Sequence, residues 1–281
     1  MYDVIVIGSG PAGISAGIYL KRAKKNILII SKGDSALKKA KSIENYYGIE
    51  SISGTDLYNN GIKQAKNLGI QIEEDEVTNI AYEGHFIVST ANREYESKYV
   101  ILATGTNRQT PNIKGIKEFE GKGVSYCAIC DAFFFKNKDV VVIGNGNYAI
   151  HEAKQLKPVA KSVTILTNGK EMIHNRASED FEVNEEPIRE FRGTNNVEEV
   201  QFENESTKKI DGVFVAIGTA SSTDLARKVG AVIKNNNIVV NENMETTVPG
   251  LYACGDCTGG LLQISKAIYE GAKSAVDIIK K

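Results

Sequence analysis

The strongest constraint on the fold is a glycine pattern set between an apolar strand and a helix. Residues 3–7 read Asp-Val-Ile-Val-Ile, a run typical of parallel sheets covered on both faces. It enters Gly8-Ser9-Gly10-Pro11-Ala12-Gly13, then a helix-like stretch from Ile14 to Lys24 and a second strand from Asn26 to Ile30. This is a βαβ unit of about 30 residues with a Gly-x-Gly-x-x-Gly turn. The first glycine permits the turn, the second lets a pyrophosphate approach the backbone, and the third packs helix on strand. Free N–H groups at the helix start then face the phosphates. The flanking strand and helix make it a dinucleotide site rather than a bare glycine-rich turn.

The pattern occurs twice. Asp139-Val140-Val141-Val142-Ile143 leads into Gly144-Asn145-Gly146-Asn147-Tyr148-Ala149, then a helix and the strand Ser162 to Leu166. Ala149 stands where the first unit has Gly13. Between the units, residues 57–68 have helical spacing, and 70–101 alternate as a β-meander does, ending in Tyr99 to Leu102 and Ala103-Thr104-Gly105. Residues 167–205 are polar and give no clear element. From Asp211 the strand Gly212 to Gly218 mirrors the Ala103-Thr104-Gly105 ending, and the chain closes with Ile238 to Val240, Gly250 to Asp256 and a helix from about Leu262 to Lys280. The expected fold is α/β, with two Rossmann-like three-layer dinucleotide-binding domains, the second inserted into the first. The first takes residues 1–111 and 211–281, the insert 112–210. Thr110-Pro111 and Glu205-Ser206 are the expected hinges.

The balance of 34 basic and 35 acidic residues gives no reason to expect a nucleic-acid or anionic-membrane partner. The N-terminus enters a strand without a basic-then-apolar leader, and no apolar run approaches the roughly 18–20 residues needed to span a bilayer. A cytoplasmic protein is expected. Its 4 cysteines are too few for a disulfide scaffold and fall as two Cys-x-x-Cys pairs, Cys127/Cys130 and Cys254/Cys257. Zinc is not expected, since the pairs are far apart and sit in different motifs. Cys127-Ala128-Ile129-Cys130-Asp131 suits redox work, because such a pair closes into a readily reduced disulfide and the adjacent carboxylate can move protons. Cys254 holds a small-residue position before Gly255-Asp256 and reads as a small buried apolar residue.

The whole chain resembles the low-molecular-weight thioredoxin reductases, two-domain flavoprotein disulfide reductases. The likeness rests on Gly8-x-Gly10-x-x-Gly13, Ala103-Thr104-Gly105, Cys127-Ala128-Ile129-Cys130-Asp131 and Gly255-Asp256 with Gln263 following. It implies FAD in the first domain, with Gly8, Ser9, Gly10, Pro11, Ala12 and Gly13 at the pyrophosphate, and Asn45 and Gly48 along the dinucleotide. Val77 would lie near the adenine, Asp256 on the ribitol, and the Gln263-Ile264 backbone at the isoalloxazine. Ser31 and Lys32 stand where many such units place an acidic ribose ligand. By the same resemblance Cys130 faces the flavin, Cys127 attacks the disulfide of thioredoxin, and Asp131 gives and takes the proton. A homodimer is implied as well.

One departure is informative. The family places His-Arg-Arg just beyond the second strand of its second unit, where arginines clamp the 2′-phosphate of NADPH bidentately. Here the chain reads Leu166-Thr167-Asn168-Gly169-Lys170-Glu171, and Leu262 replaces the arginine that usually precedes Gln263. The expected donor is therefore reduced ferredoxin, as in the ferredoxin-dependent flavin thioredoxin reductases of anaerobic bacteria, which this chain also resembles. From ferredoxin near −400 mV to thioredoxin near −270 mV, two electrons run downhill by roughly 6 kcal/mol. The alternatives are an NADPH enzyme clamping with Lys170 or Arg176, a dithiol oxidase needing a base such as His near the pair, and a redox sensor. None of His85, His151 and His174 lies near Cys127 in sequence.

Overall fold

A computed structural model of the chain describes residues 1–33, 35–105, 111–173 and 179–281. The chain divides into two compact units, Met1–Asn107 with Ser221–Lys281, and Arg108–Ala220. The two-domain α/β architecture with an inserted second unit is thus present.

The first unit opens with β1 (Tyr2–Ile7), α1 (Pro11–Arg22) and β2 (Ile27–Ser31). Then come α2 (Gly54–Asn67), β3 (Gln71–Glu74), β4 (Val77–Tyr82), β5 (Phe86–Thr90) and β6 (Glu94–Leu102). Strand β6 has two roles. Its end, from Ser97, runs parallel to β1, while its start pairs antiparallel with β5, which pairs with β4. The expected meander is therefore β4–β5–β6, and β3 instead joins the parallel sheet beside β2. Val4, Val6, Ile27 and Ile29 project from this sheet into a core closed by Ile14 and Leu20 of α1.

The second unit holds β7 (Val124–Ser125), α3 (Ala128–Asp131), β8 (Asp139–Ile143), α4 (Asn147–Leu156), β9 (Ser162–Leu166) and β10 (Glu182–Asn184). It continues with β11 (Ile188–Arg192), β12 (Glu199–Phe202), β13 (Thr207–Lys209) and β14 (Gly212–Val215). Its parallel sheet has the order β10-β9-β8-β14-β7, and β11-β12-β13 form an antiparallel meander. Much of the polar stretch that gave no clear reading is this meander. Phe191, Val200 and Phe202 pin it to Val141, Ile143 and Val213 of the parallel sheet. Few apolar residues suffice because each one is buried.

The return to the first unit is made by α5 (Ser222–Lys228), β15 (Ile233–Lys234), β16 (Asn237–Ile238), β17 (Leu251–Ala253) and α6 (Ile264–Lys280). Strand β17 runs parallel to β6, and β15–β16 is a hairpin turned at Asn235 and Asn236, both with positive φ. Two expectations are corrected here. The return falls at 221 rather than 211, because β14 pairs with β8 and β7 in the second sheet. Glu205-Ser206 is not a connection between the units: it is the β12–β13 turn, closed by Phe202 N–H donating to Ser206 O at 3.0 Å. Thr110, of the other expected hinge, lies outside the described residues.

Candidate active site

Cys127 and Cys130 form a disulfide with their Cα atoms 5.3 Å apart. Strand β7 ends at Ser125, and the chain turns at once into α3, with Cys127 as the extended residue before the first helical turn. Ser125 ties this turn together. Its Oγ accepts from Cys127 N–H at 3.1 Å and donates to Asp131 Oδ2 at 2.6 Å. Cys130 N–H points at Cys127 Sγ, 3.3 Å away. The turn is also held from α4, where Glu152 Oε2 accepts from Ala128 N–H at 2.7 Å. Cys127 is 3% exposed, whereas Cys130 is open to solvent. Beside Cys130, Phe133 and Phe134 are 80% and 68% exposed, and Ile129 is exposed too. Phe135 turns inward against Phe214, ring centroids 5.1 Å apart.

The first glycine turn is built to take phosphate. Gly8 has φ of 112°, and a Cβ there would lie 2.4 Å from Ala103 O; a Cβ on Gly13 would lie 2.0 Å from Gly8 O. No side chain caps α1 at Gly10, and Pro11 starts the helix, so no side chain competes for its first-turn N–H groups. Ser9 Oγ donates to Ser31 Oγ at 2.7 Å and lies 2.8 Å from Tyr58 Oη. Lys32 pairs with Glu76 at 3.0 Å, beside buried Val77. Glu76 Oε1 is buried with no hydrogen-bond partner, an acceptor fitted to a hydroxyl at the adenosine end.

Further along, Asn45 Nδ2 donates to Gln263 Oε1 at 3.1 Å, joining the loop that carries Gly48 to the start of α6. No side chain caps α6 before Ile264. Ser222 Oγ bridges Thr104, 3.1 Å from its N–H and 2.7 Å from its Oγ1, so α5 fixes the Ala103-Thr104-Gly105 turn. Gly255 is clamped from α6: its N–H donates to Glu270 at 2.9 Å, and its carbonyl accepts from Lys266 at 2.7 Å. That clamp presents Asp256 at the mouth of a short turn, Asp256–Thr258. All of these expected residues except the cysteine stretch belong to one unit, and they suit a bound dinucleotide.

The second glycine turn has the same backbone plan. Gly144 N–H donates to Leu166 O at 3.0 Å and Ala216 N–H to Ile143 O at 2.8 Å, as Gly8 N–H does to Ile30 O and Ala103 N–H to Ile7 O. Here, however, the turn is covered. Asn145 Nδ2 donates to Glu171 O at 3.0 Å, and Asn145 O accepts from Ile173 N–H at 2.9 Å. The stretch where a phosphate clamp belongs is held by hydrogen bonds of its own. Asn168 Oδ1 accepts from Ile188 N–H at 2.7 Å, Met172 N–H donates to Glu185 Oε1 at 3.0 Å, and Lys170 gives its carbonyl to Thr167 Oγ1. Lys170 is exposed; Arg176 and His174 lie outside the described residues.

Cys254 and Cys257 are free, buried thiols. Burial pushes both up, Cys257 to about 12, where a thiolate is scarce at neutral pH. Among the described residues no cluster suited to a metal ion is found, and no helix is long and apolar enough to cross a membrane. Sequence reading missed Ser125, Glu152, Glu76, Ser222, Lys266 and Glu270. Each acts on a motif from a distant part of the chain or from outside the motif's own pattern.

Residues 2–271 match a family model described as pyridine nucleotide-disulphide oxidoreductase. A thioredoxin reductase of Listeria innocua is 33% identical over 290 residues, covering 96% of this chain and 91% of that protein. The crystal structure of an atypical thioredoxin reductase from Desulfovibrio vulgaris Hildenborough is similar with a TM-score of 0.94 and 34% identity, over 100% of this chain and 98% of the other. A ferredoxin-flavin thioredoxin reductase from Clostridium acetobutylicum is similar with a TM-score of 0.73 and 34% identity, over 99% and 97%.

Proposed function

The chain belongs to the pyridine nucleotide-disulphide oxidoreductase family and is a thioredoxin reductase-like FAD flavoprotein; on that basis we propose that it takes electrons from reduced ferredoxin and delivers them through Cys127/Cys130 to thioredoxin. The observation carrying the choice of donor is the covered second turn: Glu171 and Ile173 are hydrogen-bonded to Asn145 where a pyrophosphate would have to approach. The likeness to a ferredoxin-flavin thioredoxin reductase supports it.

FAD, when bound, accepts single electrons and passes a pair to a disulfide. In this reading the Gly8–Gly13 turn holds the pyrophosphate, and Ser31, Lys32, Glu76 and Val77 surround the adenosine. Asn45, Gly48, Ala103, Thr104, Gly105, Gly255, Asp256, Gln263 and Ile264 line the rest. The chain's own chemistry is thiol–disulfide exchange. Once the pair is reduced, the Cys127 thiolate attacks a sulfur of the thioredoxin disulfide, and Cys130 attacks the resulting mixed disulfide and releases reduced thioredoxin. Asp131, bonded to Ser125, which in turn holds Cys127 N–H, is placed to store and return a proton. Cys127 is buried, so it must be uncovered before attack, and the chain crossing at 220/221 is a place for that movement. Exposed Ile129, Phe133 and Phe134 give the partner an apolar surface to dock on. The reading includes a homodimer in the cytoplasm, by likeness to the family.

The test is thioredoxin reduction by the FAD-loaded protein with NADPH, NADH or reduced ferredoxin. Turnover with ferredoxin alone is expected; equal turnover with NADPH would end the proposal in favour of an unusual clamp through Lys170.

A further inference from the structure

The geometry points to Glu152 as a positioning residue that sets the reducing power of the Cys127–Cys130 disulfide. The inference rests on the reading of that pair as the electron outlet. Glu152 lies within α4, the helix that begins at the covered turn, with Gly146 as its N-terminal flanking residue. In a nucleotide-binding unit this helix serves its ligand through its first turn. Here its second turn reaches the disulfide, and the Glu152 carboxylate, 1% exposed, accepts from Ala128 N–H at 2.7 Å. Ala128 is itself fully buried and is the next residue after Cys127. A buried carboxylate is therefore bonded to the peptide that directly follows the cysteine that must become the nucleophile.

Two consequences follow from elementary chemistry. The acceptor fixes the peptide between Cys127 and Ala128, and with it the direction of the Cys127 side chain. Its charge also opposes negative charge on a neighbouring sulfur, since water screens little inside a protein. Reduction adds two electrons and two protons to the disulfide and yields two thiols, one of which must shed its proton to act. A fixed negative charge beside Cys127 disfavours that reduced, partly ionised pair relative to the disulfide. The pair is thereby made a stronger reductant of its partner. Asp131, whose carboxylate is bonded to Ser125, handles the proton, so the two acids have separate tasks.

The FAD-loaded wild type, Glu152→Gln and Glu152→Ala are equilibrated anaerobically in dithiothreitol buffers of graded thiol-to-disulfide ratio. The redox state of the Cys127/Cys130 peptide is read by alkylation and mass spectrometry, which separates it from Cys254 and Cys257. Glu152→Gln keeps an acceptor for Ala128 N–H and removes the charge. It is expected to be half-reduced at a ratio about tenfold less reducing than wild type, a shift of about 30 mV. Glu152→Ala is expected to shift in the same direction and also to slow thioredoxin reduction. A Glu152→Gln midpoint within twofold of wild type overturns the inference, even where Glu152→Ala does not fold. Failure of the wild-type pair to reduce thioredoxin would instead count against the electron-outlet reading and leave the measured Glu152 shift standing.

Discussion

The two glycine turns of this chain have one backbone plan and different surroundings. At Gly8 and at Gly144 alike, an added Cβ would strike the carbonyl of the strand that returns beside it, Ala103 O at 2.4 Å and Ala216 O at 2.2 Å. The turn itself is thus a requirement of the sheet, whatever binds there. What differs is the cover. Both helices start without a side-chain cap, but the first turn has a buried orphan acceptor at Glu76 in its unit, while Asn145 of the second is bonded to Glu171 and Ile173. A glycine pattern records how strands and helix meet; the residues that close over it decide whether a ligand can.

The largest expected effects concern the outlet that lies between these turns in the chain. Cys127→Ser or Cys130→Ser should lower thioredoxin reduction by about 10³-fold or more while the protein keeps its FAD, measured by turnover and by flavin absorbance. Loss of FAD in these variants would show that the cysteines support the first turn rather than serve as its outlet.

Next comes substitution within the turns themselves. Gly13→Ala puts a Cβ 2.0 Å from Gly8 O, so FAD content per chain should fall to a small fraction of wild type. Gly146→Ala meets nothing nearer than Ile173 Cδ1 at 3.6 Å. It should cost under about 1 kcal/mol and leave ferredoxin-driven turnover unchanged. A selective collapse of turnover in Gly146→Ala would mean that a nucleotide does approach that backbone.

A middle-sized effect is expected at the first domain's hidden brace. Ser222→Ala removes the group that bonds both Thr104 N–H and its Oγ1, at a cost of about 1–3 kcal/mol. Thermal release of FAD should move to lower temperature accordingly; an unmoved transition would show that the brace is not needed.

How much of this was legible in sequence follows the distance over which each signal acts. The glycine turns, the strands that lead into them and the cysteine stretch are local patterns, and they fell where expected, whereas residues 71–74 left the expected meander for the parallel sheet and the strand expected at 238–240 lies at Asn237–Ile238. Position 211 was misassigned because Gly212 to Gly218 repeats the Ala103-Thr104-Gly105 ending, and an apolar strand does not say which sheet it joins; β14 chose β8. The meander of β11 to β13 was hard to read because Ile188, Phe191, Val200 and Phe202 are spread over strands of three to five residues, too short for the alternation to stand out. Ser222, Glu270 and Glu152 were missed for another reason. Each satisfies a backbone N–H on another element, 15 to 118 residues away in the chain, and nothing in a motif names the partner of an amide.

The smallest effect tests an ion pair on β10, the edge strand of the second unit's parallel sheet. Lys208 and Thr164 hold the Glu182 carboxyl below its ordinary value. With a folded value below the unfolded one, near 4, the contribution is fully present above that value and is lost as pH falls through the folded one. Lys208→Met should therefore flatten the acid limb of the unfolding curve slightly, and added salt should do the same, since the pair is largely exposed. An acid limb identical in both proteins would remove this pair from the account.

The central claim is that the second turn no longer passes electrons from a pyridine nucleotide. Anaerobic stopped-flow mixing of the oxidised holoenzyme tests it directly, with flavin absorbance as the signal. Reduced ferredoxin should bleach the flavin in two one-electron steps per disulfide, and NADPH at micromolar concentration should leave it oxidised. Rapid bleaching by micromolar NADPH would contradict the account.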